Sequence, residues 1–115
     1  MQEGSEESRG NKNKVEVEYQ ENSVYVGKKP AMKYVTSVIT QSQTFEEIHL
    51  RARGHFISKA AEVSQISINR FLEGWTMGVI LIITEEQQVE IPGQDSFQKK
   101  VTSIDIPILK LLNAE

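Results

Sequence analysis

The chain reads as a two-layer α/β domain with the element order β-α-β-α-β-β, ending in a β-hairpin arm that projects beyond the core. Three observations predict this. Residues 15–19 and 47–53 alternate apolar and polar side chains, the period of a half-buried strand. The stretches after Pro30 and after Gly54 carry apolar residues at helical spacing. Two long strand-like runs flank the turn sequence Pro92-Gly93-Gln94-Asp95, and their distal halves are too polar for a core. With 115 residues and 38% hydrophobic content, the chain suits one modest domain, placed at 15–115.

Residues 1–14 hold no apolar side chain after Met1 and cannot bury enough surface to offset ordering entropy, so a disordered tail is expected. The alternation at 15–19 predicts a first strand, broken at 20–22 before the stronger run 23–26; one strand or two fits equally. Pro30 suits the first turn of a helix, with Met32, Val35, Val38 and Ile39 on its inner face until the polar run 41–44. In the next strand Ile48, Leu50 and Ala52 face inward, and His49, Arg51 and Arg53 form a basic outer face. Gly54 breaks it. Ile57, Ala60, Ala61, Ile68, Phe71 and Leu72 then mark a second helix over about 55–72, capped by Gly74. The run 79–90 begins as a buried apolar strand and continues as a polar one. Its return strand, about 97–109, puts Ile104, Ile106 and Ile108 on one face, and Pro107 predicts an edge position or a bulge.

The longest apolar run is 79–83, far short of the roughly 20 residues of a membrane span, and the first residues lack a signal peptide's basic-then-apolar pattern. A soluble, cytoplasmic protein is the expectation, with no membrane partner. There is no cysteine, and two histidines make a poor zinc site, so no metal or other cofactor is expected. Enzyme chemistry finds no support: there is no phosphate-cradling glycine loop, no HExxH pair and no nucleophile with a local signature.

The net charge is −3, but it is unevenly spread. Residues 1–27 hold three basic against six acidic side chains, 28–59 six against two, and 60–115 four against eight. A basic face on an acidic body follows, not a generally cationic protein. Within the basic third, Lys28 and Lys29 lie between Gly27 and Pro30, where a strand ends and a helix begins. Lysines there offer charge, and the helix N-terminus offers backbone N–H donors and the positive end of its dipole, a setting that holds phosphate. Nucleic acid is the partner this chemistry suits.

These segments, together with others, closely resemble the Alba family of small dimeric nucleic-acid-binding proteins of archaeal chromatin. The resemblance rests on Val26-Gly27-Lys28-Lys29-Pro30 with Met32 and Tyr34-Val35, on Arg51-Ala52-Arg53-Gly54 followed by Ile57-Ser58-Lys59-Ala60, on Asn69-Arg70-Phe71, and on Val101-Thr102-Ser103-Ile104-Asp105-Ile106. It implies the Alba fold with the order given above and a homodimer that binds duplex DNA or RNA at its centre while the two hairpins reach outward. On that resemblance Lys28 and Lys29 lie on phosphates, and Arg53 and Lys59 extend the basic surface. Lys33, Arg51, His55, Lys99 and Lys100 complete the candidate nucleic-acid-binding set. Asn69, Arg70 and Phe71 fall at a contact between dimers that builds higher assemblies on DNA. The resemblance also implies a chromosome- or nucleoid-associated location and reversible acetylation of a loop lysine, Lys28 here, by an acetylase and deacetylase.

The chain departs from the family in three places. Lys33 stands where Asn is usual. His55-Phe56 replaces a second fixed cation and a small residue. The predicted arm carries Glu85, Glu86, Glu90 and Asp95 against Lys99 and Lys100, a poor charge balance for a minor groove. Alternative readings are an RNA-directed role in RNA metabolism or a ribonuclease P-like complex, and a dimeric interaction module with weakened nucleic-acid binding. Arg51 reads either as a phosphate contact or as a partner of Glu46 and Glu47, Phe71 as core or interface, and Trp75 as a core lid or an exposed contact.

Overall fold

The computed structural model describes residues 22–112, so the tail and the strand expected at 15–19 lie outside the described residues. Within them the elements are β1 (Ser23–Tyr25), α1 (Ala31–Ser42), β2 (Glu47–Arg53), α2 (Ile57–Ile66), β3 (Trp75–Met77), β4 (Leu81–Val89) and β5 (Phe97–Lys110). A 3-10 turn, Gly54–Phe56, leads into α2, and a π-helical turn, Ser67–Phe71, leads out of it. The predicted order is observed with one addition, the short strand β3. Three residues are too few to show a period, and β3 forms because β5 offers it a ladder opposite 108–110.

One mixed sheet holds the molecule together. β1 runs parallel to β2, with Val24 opposite Leu50, and β2 runs antiparallel to β5, with Leu50 opposite Ile106. Along its other edge β5 pairs with β4 through residues 97–105 and then with β3 through residues 108–110. Both helices lie on one sheet face, because the alternation of β2 and β5 sends Ile48, Leu50, Ile106 and Ile108 to meet Val35, Val38, Ala60 and Val63 in a single core. Each such aliphatic side chain larger than alanine stabilises the fold by about 1.5 to 3 kcal/mol on burial. Trp75 joins this core, which settles it as a lid. Met32, in contrast, is 48% exposed, and the inner stripe of α1 is carried by Val35 and Val38.

Pro30 sits just before α1, in extended conformation (φ −61°, ψ 150°), rather than within its first turn. The second helix is shorter than its apolar pattern suggests: α2 ends at Ile66, and the chain continues through the π turn, closed by the Leu72 N–H donating to the Ser67 carbonyl at 2.8 Å. Gly54, at φ 60°, turns the chain out of β2 in the left-handed conformation that favours glycine.

Two expectations about the arm are corrected. Pro107 is not on an edge strand, since β5 is central, between β2 on one side and β3 and β4 on the other. Its carbonyl accepts from the Gly78 N–H at 2.7 Å, on the side where the neighbour changes from β3 to β4. The missing N–H therefore falls opposite a break in pairing, and the β2 ladder is untouched. Gly78 eases this approach, because a Cβ there would lie 3.1 Å from the Pro107 Cγ and require the ring to shift. The second correction concerns the apolar run, which is not buried: Val79 is 89% exposed, Leu81 55% and Ile82 61%. Residues 81–83 of the run pair with 103–105 of β5 beside the groove, and their side chains stay largely exposed in one chain.

Candidate nucleic-acid interface

The lysine loop, residues 27–29, joins β1 to α1 and holds both lysine side chains in solvent. Its shape is fixed from two directions. The Tyr34 phenol oxygen, on α1, accepts from the Gly27 N–H at 2.9 Å and the Lys29 N–H at 3.1 Å. The Lys59 ammonium, on α2, donates to the Gly27 carbonyl at 2.9 Å and the Lys29 carbonyl at 2.7 Å. Lys59 is half-buried, and its ammonium also lies 5.6 Å from the Phe56 ring centroid, within cation–π range. The loop's own amides at Gly27 and Lys29 are thus occupied by a side chain, and Lys59, which the resemblance puts on the basic surface, donates to main-chain carbonyls.

Other cations gather beside this loop. The parallel register of β1 and β2, continued by the Val26 N–H donating to the Arg51 carbonyl at 2.8 Å, puts Gly27 next to Arg53. Arg53 and His55 are exposed, and the His55 ring stacks at a tilt on Phe56, with centroids 4.1 Å apart. Lys33 is exposed in the first turn of α1. A groove of about 830 Å³ runs from this corner along the sheet face opposite the helices to the root of the arm, past Tyr25, Arg53, Phe56, Leu81 and Ile83.

Arg51 is less available. Its guanidinium lies 3.7 Å from Asp105 across the β2–β5 ladder, with the Nε buried. Asp105 also meets the His49 Nδ1 at 2.9 Å, and the other ring nitrogen meets Glu47 at 2.8 Å. Carboxylates only accept, so both contacts are hydrogen bonds only when both ring nitrogens carry a proton. Asp105 thus faces both Arg51 and His49, while Arg53 on the same face stays exposed. No pattern in the sequence announces that role, because it follows from a register linking positions 56 residues apart.

On the arm, Lys100 stands directly opposite Glu86 and Lys99 opposite Gln87, with Glu85 opposite Val101. The arm lysines are solvent-exposed, as are its acids. Asn69, Arg70 and Phe71 lie on the π turn at the far end of α2, where Phe71 is 47% exposed. This removes Phe71 from the core. The structure thus gathers Lys28, Lys29, Arg53, His55 and Lys59 at one corner, brings Lys99 and Lys100 onto the groove that also passes Arg53 and His55, and leaves the 69–71 segment elsewhere.

Comparison with known proteins accords with this architecture. The Alba family model matches residues 22–80, ending just before β4. The DNA/RNA-binding protein Alba of Methanoculleus marisnigri is 38% identical over 87 residues, spanning 75% of this chain and 90% of its own. The DNA/RNA-binding protein Alba of Picrophilus torridus is 33% identical over 93 residues, spanning 79% of this chain and 98% of its own. Alba from Thermoplasma volcanium, a solved structure, superposes with a TM-score of 0.66 at 37% identity, covering 77% of this chain and 100% of its own. ALBA1 from Trypanosoma brucei shares the fold at a TM-score of 0.57 and 21% identity, covering 82% of this chain and 73% of its own. With a family model across the helices and the first strands, and relatives matched over nearly their whole length, the chain belongs to the Alba family.

Proposed function

We propose that this protein binds nucleic acid as a homodimer, gripping the sugar–phosphate backbone of duplex DNA or RNA with little sequence specificity, as an architectural protein of chromatin. The observation that carries the reading is the pair of solvent-exposed lysines on a loop fixed by both helices, beside Arg53 and His55. Charge without base-reading geometry gives affinity and not sequence selection. Relatives named DNA/RNA-binding protein Alba support the same partner class. The uncovered apolar run 79–83 and the groove beside it supply the surface for a second copy, which would bring two lysine loops onto one duplex. Acetylation of Lys28 would remove one loop charge and weaken binding. The action is binding, with no catalytic step.

The test is salt dependence. Lys28→Ala with Lys29→Ala should lower affinity for every duplex sequence and flatten log Kd against log salt by about 0.9 for each DNA phosphate the variant no longer neutralises. An unchanged affinity and slope would end the proposal. A second reading, a dimeric module whose arm contacts protein, is favoured by the surplus of acid on the arm. Titration with duplex DNA, duplex RNA and single-stranded RNA at one salt concentration separates the partners.

A further inference from the structure

Four hydrogen bonds enclose three residues of the lysine loop, and they come from two side chains on two different helices. Tyr34 takes the N–H groups of Gly27 and Lys29, and Lys59 takes the carbonyls of the same two residues. Every polar main-chain group of residues 27 and 29 is thereby occupied from inside the molecule. A phosphate at the loop has no amide from these two residues to bind, which leaves the exposed Lys28 and Lys29 side chains as its charged contacts there. Two of the three N–H bonds of the Lys59 ammonium are already used, and the side chain is half-buried beside Phe56.

From this geometry we infer that Tyr34 and Lys59 are positioning residues, a clamp that fixes the lysine loop before nucleic acid arrives, and that Lys59 acts through the loop and not as a separate phosphate contact. The inference rests on the proposed phosphate-binding role of Lys28 and Lys29 and gives that role its mechanism. A glycine-containing loop left free would sample many conformations, and binding would have to order it. The clamp meets that cost during folding, so the two lysines are presented to phosphate at fixed root positions and only their side chains remain to be ordered. It also couples the loop to both helices, since each half of the clamp is rooted in one of them.

Two measurements separate the clamp from its alternatives. The first needs no ligand. In the free protein the Gly27 and Lys29 amides should exchange slowly with solvent, and both Tyr34→Phe and Lys59→Gln should accelerate them at least about tenfold, the effect of releasing a local opening unit. Unchanged exchange in both variants would overturn the clamp, whatever the protein binds. The second is a salt titration with duplex DNA. Tyr34→Phe, which alters no charge, and Lys59→Gln should each weaken binding by roughly five- to thirtyfold, the size expected when about one residue's backbone must be ordered on binding. The salt slope should stay near the parent value in both. A slope that falls by about 0.9 in Lys59→Gln while Tyr34→Phe binds like the parent would make Lys59 a direct phosphate contact and overturn the inference. If Lys28→Ala with Lys29→Ala is silent while the amides respond as described, the clamp stands and the functional reading fails. The conservative loss of one hydroxyl in Tyr34→Phe keeps the test sound should Lys59→Gln fold poorly.

Discussion

Phe71 shows how one residue's surroundings decide between packing and contact. It sits on a π-helical turn at the far end of α2 and leaves nearly half its surface in water, a setting in which a large aromatic can anchor an interface. Truncation should therefore barely affect folding. We expect Phe71→Ala to keep Tm within a few degrees and to reduce the cooperativity of binding on long DNA, measured by gel shift across duplex lengths. A buried Phe→Ala change costs roughly 3 to 5 kcal/mol, and a loss of that size would return Phe71 to the core. The sequence could not make this choice, because Ile68, Phe71 and Leu72 fit one apolar stripe only while the helix keeps a single pitch. The π turn shifts the phase, so Leu72 is buried and Phe71 is not. Arg51 is ambiguous in the sequence for a related reason. Alternation shows that it faces away from the helices, but its partner Asp105 comes from β5 through long-range register.

Among the elements, the arm is the least like a surface made for phosphate. Each of its lysines has acid within reach: Glu86 lies directly across from Lys100, and Glu85 lies diagonally from Lys99 on the same face. Glu90 and Asp95 add negative charge near the turn without a facing lysine in the ladder. Glu85→Lys with Glu90→Lys leaves Glu86 opposite Lys100 and turns the acidic excess of the arm into a basic one. If the arms lie along the duplex, this variant should bind more tightly at low salt, with a slope steeper by up to about 0.9 for each phosphate newly engaged. Affinity unchanged at low salt would show arms held away from nucleic acid and would strengthen the protein-contact reading. Most of the arm was legible in the sequence, since two strand-like runs around a Pro-Gly turn specify a hairpin. Its setting was not. The same apolar run, 79–83, describes a strand buried in one chain and a strand awaiting cover from another, and pattern alone does not distinguish them.

For the whole molecule, that exposed run is the surface on which the proposed dimer rests. A contiguous apolar strip at the root of the arm, beside an open groove on the sheet, is more than an isolated chain ordinarily leaves in water. Leu81→Glu should convert a dimer to a monomer in sedimentation velocity and, with one lysine loop per particle in place of two, lower the salt slope on duplex DNA to about half. A variant that remains dimeric would move the interface elsewhere. The fold class, both helices and four of the described strands could be read from periodicity, and the corner where the cations gather could be read from the motif order. What stayed hidden was how the corner is built, because hydrogen bonds from Tyr34 and Lys59 to main-chain groups leave no trace in composition or spacing. The long strand β5 has one more consequence. It begins at the tip of the arm and ends in the core without interruption, so core and arm share a single pleat. Evolution can therefore change the arm's reach without redesigning the domain, but only in even steps. Two residues added to each strand extend the hairpin by about 6 to 7 Å and keep every face as it was, while a single added residue on each would exchange the two faces of everything beyond it.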